Sequence, residues 1–186
     1  MCGIYGTTIP YSIEQVKQKL QRTDFRGPDM TQCAYMDRDQ SVIFGHNRLA
    51  IIDLDPRSNQ PFVYKHVSIV YNGEVYNFKT LKHQLISEGF EFTTESDTEV
   101  ICALYIKHGE ACVKYLNGMF AFAIYDSQKK LFFGARDRLG QKPFYIYRNG
   151  KDFEFASQIS SIQLHHKQLS ISSKAINYYL SWGNVP

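Results

Sequence analysis

Met1-Cys2-Gly3-Ile4-Tyr5-Gly6 opens the chain, and the reading of this stretch decides what the remainder is expected to build. Cys2 is small enough for the initiator methionine to be trimmed away, and trimming would leave a residue carrying both a thiol and a free α-amine. An α-amine titrates near ~8, against ~10.4 for a lysine, so at neutral pH a useful fraction is unprotonated and able to accept the thiol proton. Nucleophile and base would then share one residue, with no histidine partner required. The plainer reading is that Cys2 begins a buried strand, since an unreactive cysteine behaves as a small hydrophobe. Met-Cys alone favours that plainer reading, so the rest of the chain has to decide.

Outward from the opening strand (Gly3 to about Thr8), Ser12-Ile-Glu-Gln15 offers a capping box, and Ile13, Val16 and Leu20 mark one face of a short helix. Thr31 to Met36 and Ser41 to His46 read as strands around the turn Asp37-Arg-Asp-Gln40, and Leu49 to Leu54 continues an apolar, β-branched run. Val67 to Tyr71 reads as a strand that ends at Asn72-Gly73. Asn77 and the second capping box Ser96-Asp-Thr-Glu99 open two helices, each closed by a glycine, Gly89 and Gly109. Four strands at hairpin spacing follow: Met119 to Asp126, Leu131 to Arg136, Phe144 to Arg148 and Asp152 to Ala156. Ser172 or Ser173 caps a last helix ending near Trp182. Strands, helices, then strands again, without regular β-α-β alternation, predict an α+β architecture of antiparallel sheets with helices outside.

Length and composition are compatible with this. The 186 residues suit one sizeable domain, or one with a fragment of another, and 44% hydrophobic with 15% aromatic residues is the composition of a packed core. A formal charge of +3 from 21 basic and 18 acidic residues comes without a Lys/Arg block, which argues against a nucleic-acid or anionic-membrane partner. The N-terminus shows no basic stretch followed by an apolar run, and Met119 to Tyr125 is too short to span a bilayer, so a cytoplasmic location is expected. The four cysteines, Cys2, Cys33, Cys102 and Cys112, form no C-x-x-C pair and no zinc spacing. No metal is expected. Cys33, Cys102 and Cys112 read as reduced and structural, and His165-His166 as a surface doublet.

Four polar stretches interrupt the apolar pattern: Arg26-Gly-Pro-Asp29, His46-Asn-Arg-Leu-Ala-Ile-Ile-Asp53, Tyr71-Asn-Gly-Glu-Val-Tyr-Asn77 and Glu95-Ser-Asp-Thr-Glu99. Singly, each has an ordinary reading as a turn, a hairpin signal, a helix cap or a surface ion pair. Together with Cys2-Gly-Ile-Tyr-Gly6, and with Gly118-Met-Phe-Ala-Phe-Ala-Ile-Tyr-Asp126 and Arg136-Asp-Arg-Leu-Gly-Gln-Lys-Pro143, they resemble one family in its order. That family is the glutaminase domain of class II glutamine amidotransferases, which are N-terminal-nucleophile hydrolases. Within it the chain is most similar to glutamine-hydrolysing asparagine synthetases, with Arg26-Gly-Pro-Asp29 as the branch-specific sign.

The resemblance implies a four-layer αββα sandwich of two antiparallel sheets, with Cys2 at the end of a central strand. It implies that Cys2 supplies the thiolate and its own freed α-amine the base, and that the Asn72 amide and the Gly73 N–H form an oxyanion hole. Arg48 would bind the α-carboxylate of glutamine and Asp97 its α-ammonium, with Glu74 and the backbone around Ile51 and Ile52 as further contacts. Departures from the family pattern are Phe25, Asn59 and Glu95. Asn59, where glycine is usual, is expected to keep a turn through positive φ, and Glu95 to add negative charge beside Asp97.

The implied organisation is a glutaminase domain over residues 1–165, followed from 166 to 186 by the start of a linker into an ATP-dependent synthetase domain. No cofactor is expected in the glutaminase domain, while ATP and magnesium belong to the synthetase domain. Glutamine is the expected substrate, aspartate the expected ammonia acceptor, and a homodimer the expected assembly. Two rivals stay open: amidation of another acceptor, such as a sugar acid in surface-polysaccharide assembly, and a non-catalytic regulatory domain that keeps the fold.

Overall fold

The computed structural model describes residues 1–166 and 169–185. The expected boundary stretch Gln163 to Ser173 includes residues 167 and 168, and the expected linker ends at 186; these three lie outside the described residues. Among the described residues, nine strands form two antiparallel sheets. The first contains β1 (Gly3–Thr7), β2 (Met30–Tyr35), β3 (Ile43–Arg48), β8 (Tyr145–Asn149) and β9 (Asp152–Ala156), in the order β2-β3-β1-β9-β8. The second contains β4 (Phe62–Tyr64), β5 (Val67–Val75), β6 (Gly118–Asp126) and β7 (Leu131–Arg136), in that order. Cys2 therefore stands at the head of the middle strand of the five-stranded sheet.

Strand alternation explains the layering. On β1, Ile4 faces inward with Phe44 and Phe155 to meet Val70, Ala121, Ala123 and Tyr125 of the second sheet. Gly6 makes room for this core: a Cβ there would lie 2.3 Å from the Phe155 ring, which packs edge-to-face on Phe44 at 5.8 Å. Tyr5, Ile43 and Ala156 face the other way, under Val16 and Leu20 of α1 (Ile13–Gln21) and Ile162 of α4 (Ile159–Gln163). On the second sheet Ile69, Tyr71, Phe122 and Ile124 are covered by α2 (Phe78–Ser87) and α3 (Asp97–His108). The result is helices, sheet, sheet, helices. Each large side chain enclosed this way contributes about 1.5–3 kcal/mol.

The Ser12 capping box forms with both reciprocal bonds, and Ser172 caps α5 (Ser173–Trp182). Several expectations are corrected. β5 does not stop at Tyr71 but runs through Asn72-Gly73 to Val75, because β6 pairs with it along its whole length. Leu49 to Leu54 is not a strand: Arg48 gathers the Asp53 and Asp55 carbonyls, Asp53 takes φ 47°, and Ile51 is 71% exposed. At the head of α3, Glu99 does not complete the second capping box, since its carboxylate turns back to the Thr93 and Thr94 N–H groups. The four late strands divide between the sheets, β6 and β7 in one, β8 and β9 in the other. Asn59 has φ −63° and keeps no left-handed turn. The His165-His166 doublet is packed rather than superficial, His165 against the Tyr11 ring and His166 against that of Tyr147.

Candidate active site

The two sheets open at one end into a cleft of about 150 Å³ lined by Cys2, Arg48, Ile51, Ile52, Asn72, Gly73, Glu74 and Asp97. These are all eight residues singled out in the sequence. Four chain segments distant in sequence bring them together: the head of β1, the end of β3 with its following loop, the second half of β5 and the start of α3.

Cys2 is half-buried, and its Sγ lies against the Leu49 backbone, accepting from the N–H at 3.4 Å. Burial pushes the thiol up, while the Leu49 N–H, the chain's terminal ammonium and Arg48 pull it down, and Asp97 pushes up again. Arg26 Nε donates to the Cys2 carbonyl at 3.1 Å, which fixes the head of the strand. Met1 precedes Cys2 in the described chain, so the Cys2 nitrogen is there an amide.

β5 supplies two unused donors. Tyr71 N donates to Gln60 Oε1 at 2.6 Å and Val75 N to Asp97 Oδ2 at 3.0 Å, so both point away from β6. Backbone groups two apart on a strand point to the same edge. Gly73 N–H, midway between them, therefore points to this open edge, where β4 ends its pairing at Ile69. Asn72 Nδ2 is buried with no partner among the described residues. A Cβ on Gly73 would sit 2.3 Å from Met119 O and 2.7 Å from Phe120 Cα, so only glycine permits this approach of the two strands.

Arg48 and Asp97 are buried ions without a side chain of opposite charge in contact among the described residues. Arg48 gives its hydrogen bonds to neutral acceptors, Asp53 O, Asp55 O and Asn59 Oδ1. Asn59 thus acts through its side chain. Asp97 Oδ2 accepts from Tyr71 Oη at 2.7 Å and from Val75 N. Burial raises the Asp97 pKa against those two bonds, and Glu74 raises it further. Glu95 carries its charge into a contact with Lys82 Nζ at 2.8 Å, so its effect beside Asp97 is offset. Sequence reading missed His46, Gln60, Thr98 and Lys142 as cleft-lining residues. Lys142 stands within the Arg136 to Pro143 motif, but its burial gave no signal, since a lysine between Gln and Pro in a loop reads as solvated.

The antiparallel αββα sandwich with a cysteine heading a central strand defines the class, an N-terminal-nucleophile hydrolase fold. The chain belongs to the glutamine amidotransferase domain family, whose model matches residues 1–186. It is 42% identical to asparagine synthetase (glutamine-hydrolysing) 3 of Bacillus subtilis over 89% of this chain and 28% of that protein. It is 37% identical to the amidase chry2 of Gibberella zeae, over 80% of this chain and 22% of that protein. Among solved structures it superposes on a glutamine phosphoribosylpyrophosphate amidotransferase from B. subtilis with a TM-score of 0.73 and 22% identity. That likeness covers 88% of this chain and 43% of the other, and it concerns the fold. The chain spans 40% or less of the length of the curated relatives first matched. No described helix is long and apolar enough to cross a membrane.

Proposed function

We propose that Cys2, once Met1 is removed, is the nucleophile of a glutaminase that hydrolyses glutamine to glutamate and ammonia. The thiol proton passes to the freed α-amine, and the thiolate attacks the side-chain carboxamide carbon. The carbonyl oxygen becomes an oxyanion that accepts from Asn72 Nδ2 and Gly73 N–H. Collapse breaks the C–N bond, the Cys2 ammonium returns its proton to the leaving nitrogen, and ammonia departs from a glutamyl thioester. Water, deprotonated by the same amine, releases glutamate. Arg48 and Asp97 each gain an opposite charge from a free α-amino acid, which selects glutamine over a glutaminyl side chain within a peptide. Glu74, Ile51 and Ile52 complete the substrate wall. The observation that carries this reading is the meeting of Cys2 Sγ, two unused N–H donors and two unpaired buried ions in one cleft.

The ammonia goes to a synthetase portion reached through a linker that starts at about residue 166, where ATP and magnesium would activate the acceptor. The resemblance to asparagine synthetases supports aspartate as acceptor and the cytoplasm as location. No step within this domain is routed through ATP or the metal.

Glutamate release is the test, on protein whose intact mass confirms loss of Met1. The expected result is release by the parent chain and a fall of at least about 10³-fold in Cys2→Ala. Undiminished release by Cys2→Ala would remove Cys2 from the mechanism.

A further inference from the structure

One buried charge in the cleft has no place in the reaction described above. Lys142 lies in the loop that carries the chain from β7 in one sheet to β8 in the other. That loop is wound around Asp137, whose carboxylate accepts from the Phe120, Leu139, Gln141 and Lys142 N–H groups at 2.9 to 3.2 Å. Burial opposes its ionisation, yet these backbone bonds hold the Asp137 pKa below the ordinary value. Arg136 Nε donates to the Lys142 carbonyl. With both its N–H and its C=O held, the Lys142 backbone has little freedom, and its side chain is directed inward at 5% exposure.

The ammonium it carries is poorly matched. Its hydrogen bond goes to the Met1 thioether at 3.3 Å, and no carboxylate lies in ion-pair contact among the described residues. Asp137 is taken up by backbone donors. A thioether is a weak acceptor, and a buried ammonium with no better partner is costly. The Met1 sulfur stands within one residue's length of the Cys2 nitrogen. Removal of Met1, on which the proposed reaction depends, takes away that partner and leaves the Cys2 α-amine as the new end of the same segment.

We propose that Lys142 is a positioning residue for the general base, its ammonium favouring the neutral, proton-accepting form of the Cys2 α-amine. This rests on the reading of Cys2 as the N-terminal nucleophile. The groups around Cys2 set the direction of the effect. Arg26, Arg48 and Lys142 are cations; Asp97 and Glu74 are carboxylates; His46 is neutral, since burial pushes its pKa down to about 3. Positive charge beside an amine disfavours its protonation. The same field favours thiolate over thiol, so the proton transferred from Sγ to nitrogen starts from a neutral amine and ends as a thiolate–ammonium pair surrounded by an excess of cations. The carboxylates temper the field without cancelling it.

The experiment uses the chain made with a leader that a protease removes to leave Cys2 first, confirmed by intact mass. The parent, Lys142→Met and Lys142→Arg are compared. Competitive trace-labelling of the terminal amine with acetic anhydride across pH gives its titration directly, without reliance on turnover. An upward shift of about 0.5–1 pH unit is expected in Lys142→Met, a range set by unit charges several ångströms apart at high effective dielectric. Lys142→Arg should titrate like the parent. The acidic limb of kcat/KM for glutamine should move by the same amount, so that Lys142→Met loses about 3–10-fold near pH 6.5 and recovers at alkaline pH. An unshifted amine in Lys142→Met overturns the proposal, as does a loss of activity that is uniform with pH. A shifted amine without glutamate release from the parent chain would uphold the role of Lys142 and count against the glutaminase reading instead.

Discussion

Two sets of buried charges occupy different parts of the molecule, one on the helix-covered face of the five-stranded sheet and one in the cleft where the two sheets open, and they are treated differently. Beneath α1, Lys19 is fully buried and its ammonium has all it can use: Glu154 Oε2 at 3.0 Å, Ser161 O at 3.1 Å and Ile162 O at 3.2 Å. Glu154 also takes Tyr5 Oη and His166 Nε2. In the cleft, by contrast, Arg48, Asp97 and Lys142 are buried as well, yet none meets an opposite charge among the described residues. A lone buried ion is expensive, so a fold keeps one only where something else solvates it. The satisfied cluster is therefore architecture, joining β1, α1, α4 and β9. The unsatisfied one has the character of a site waiting for a charged molecule.

The comparison can be broken from either side. Its largest test is Lys19→Met, which strands Glu154 in the core. A loss of about 3–5 kcal/mol in unfolding free energy is expected by urea titration, with the glutamine KM unchanged. Lys19→Met combined with Glu154→Leu should recover much of that loss, because the pair is then removed whole. A cost under ~1 kcal/mol for Lys19→Met would mean that the cluster does not hold the fold. Next in size, Asn72→Ala should lower kcat by about 10²–10³-fold, since the amide is used only when the oxyanion forms. Stability should hold or improve, as a buried amide nitrogen without a partner is removed.

A smaller effect distinguishes binding from chemistry. Asp97→Asn keeps an oxygen for the Tyr71 hydroxyl and the Val75 N–H but loses the charge that would meet an α-ammonium. Its glutamine KM should rise about 10–100-fold with kcat little changed, the pattern of lost ground-state binding. If kcat falls and KM stays, Asp97 serves the thiolate rather than the substrate.

What the sequence made legible follows the same division. Elements whose residues serve packing were readable: the Ser12 capping box, the opening strand β1, and the β6–β7 hairpin obey local rules. Where a segment serves the cleft, the local rules misled. Asn72-Gly73 has the chemistry of a tight turn, yet it lies in mid-strand because the glycine answers to the approach of Met119 and Phe120, a contact made forty-odd residues on. Leu49 to Leu54 is apolar enough for a strand, but Arg48 reaches forward to hold the Asp53 carbonyl within it and the Asp55 carbonyl just beyond. Lys19 falls on the same helix face as Val16 and Leu20, so its burial had a signal in the spacing; its partner Glu154 did not, being separated by most of the chain.

The smallest prediction concerns His46, which lies in the cleft but is satisfied like the architectural set. Its Nε2 meets the Tyr71 carbonyl at 3.2 Å, and a carbonyl only accepts, so this nitrogen carries the proton. Burial, with Arg48 adding to it, drives the pKa from 6.5 to about 3, against the upward pull of that hydrogen bond. The unfolded chain then binds a proton below about 6.5 that the folded chain refuses until about 3. The stability that neutral His46 allows is complete above the unfolded value and is lost as pH falls through that window, at about 1.4 kcal/mol per unit. Asp97 works in the opposite sense, since its raised pKa favours the folded state at low pH, and it softens the slope at the acid end of the window. Urea midpoints between pH 7 and pH 5 should therefore decline in the parent chain and flatten in His46→Asn. An equal decline in both would show that the cleft takes up its proton elsewhere, and His46 would then move from the satisfied side of the comparison to the other.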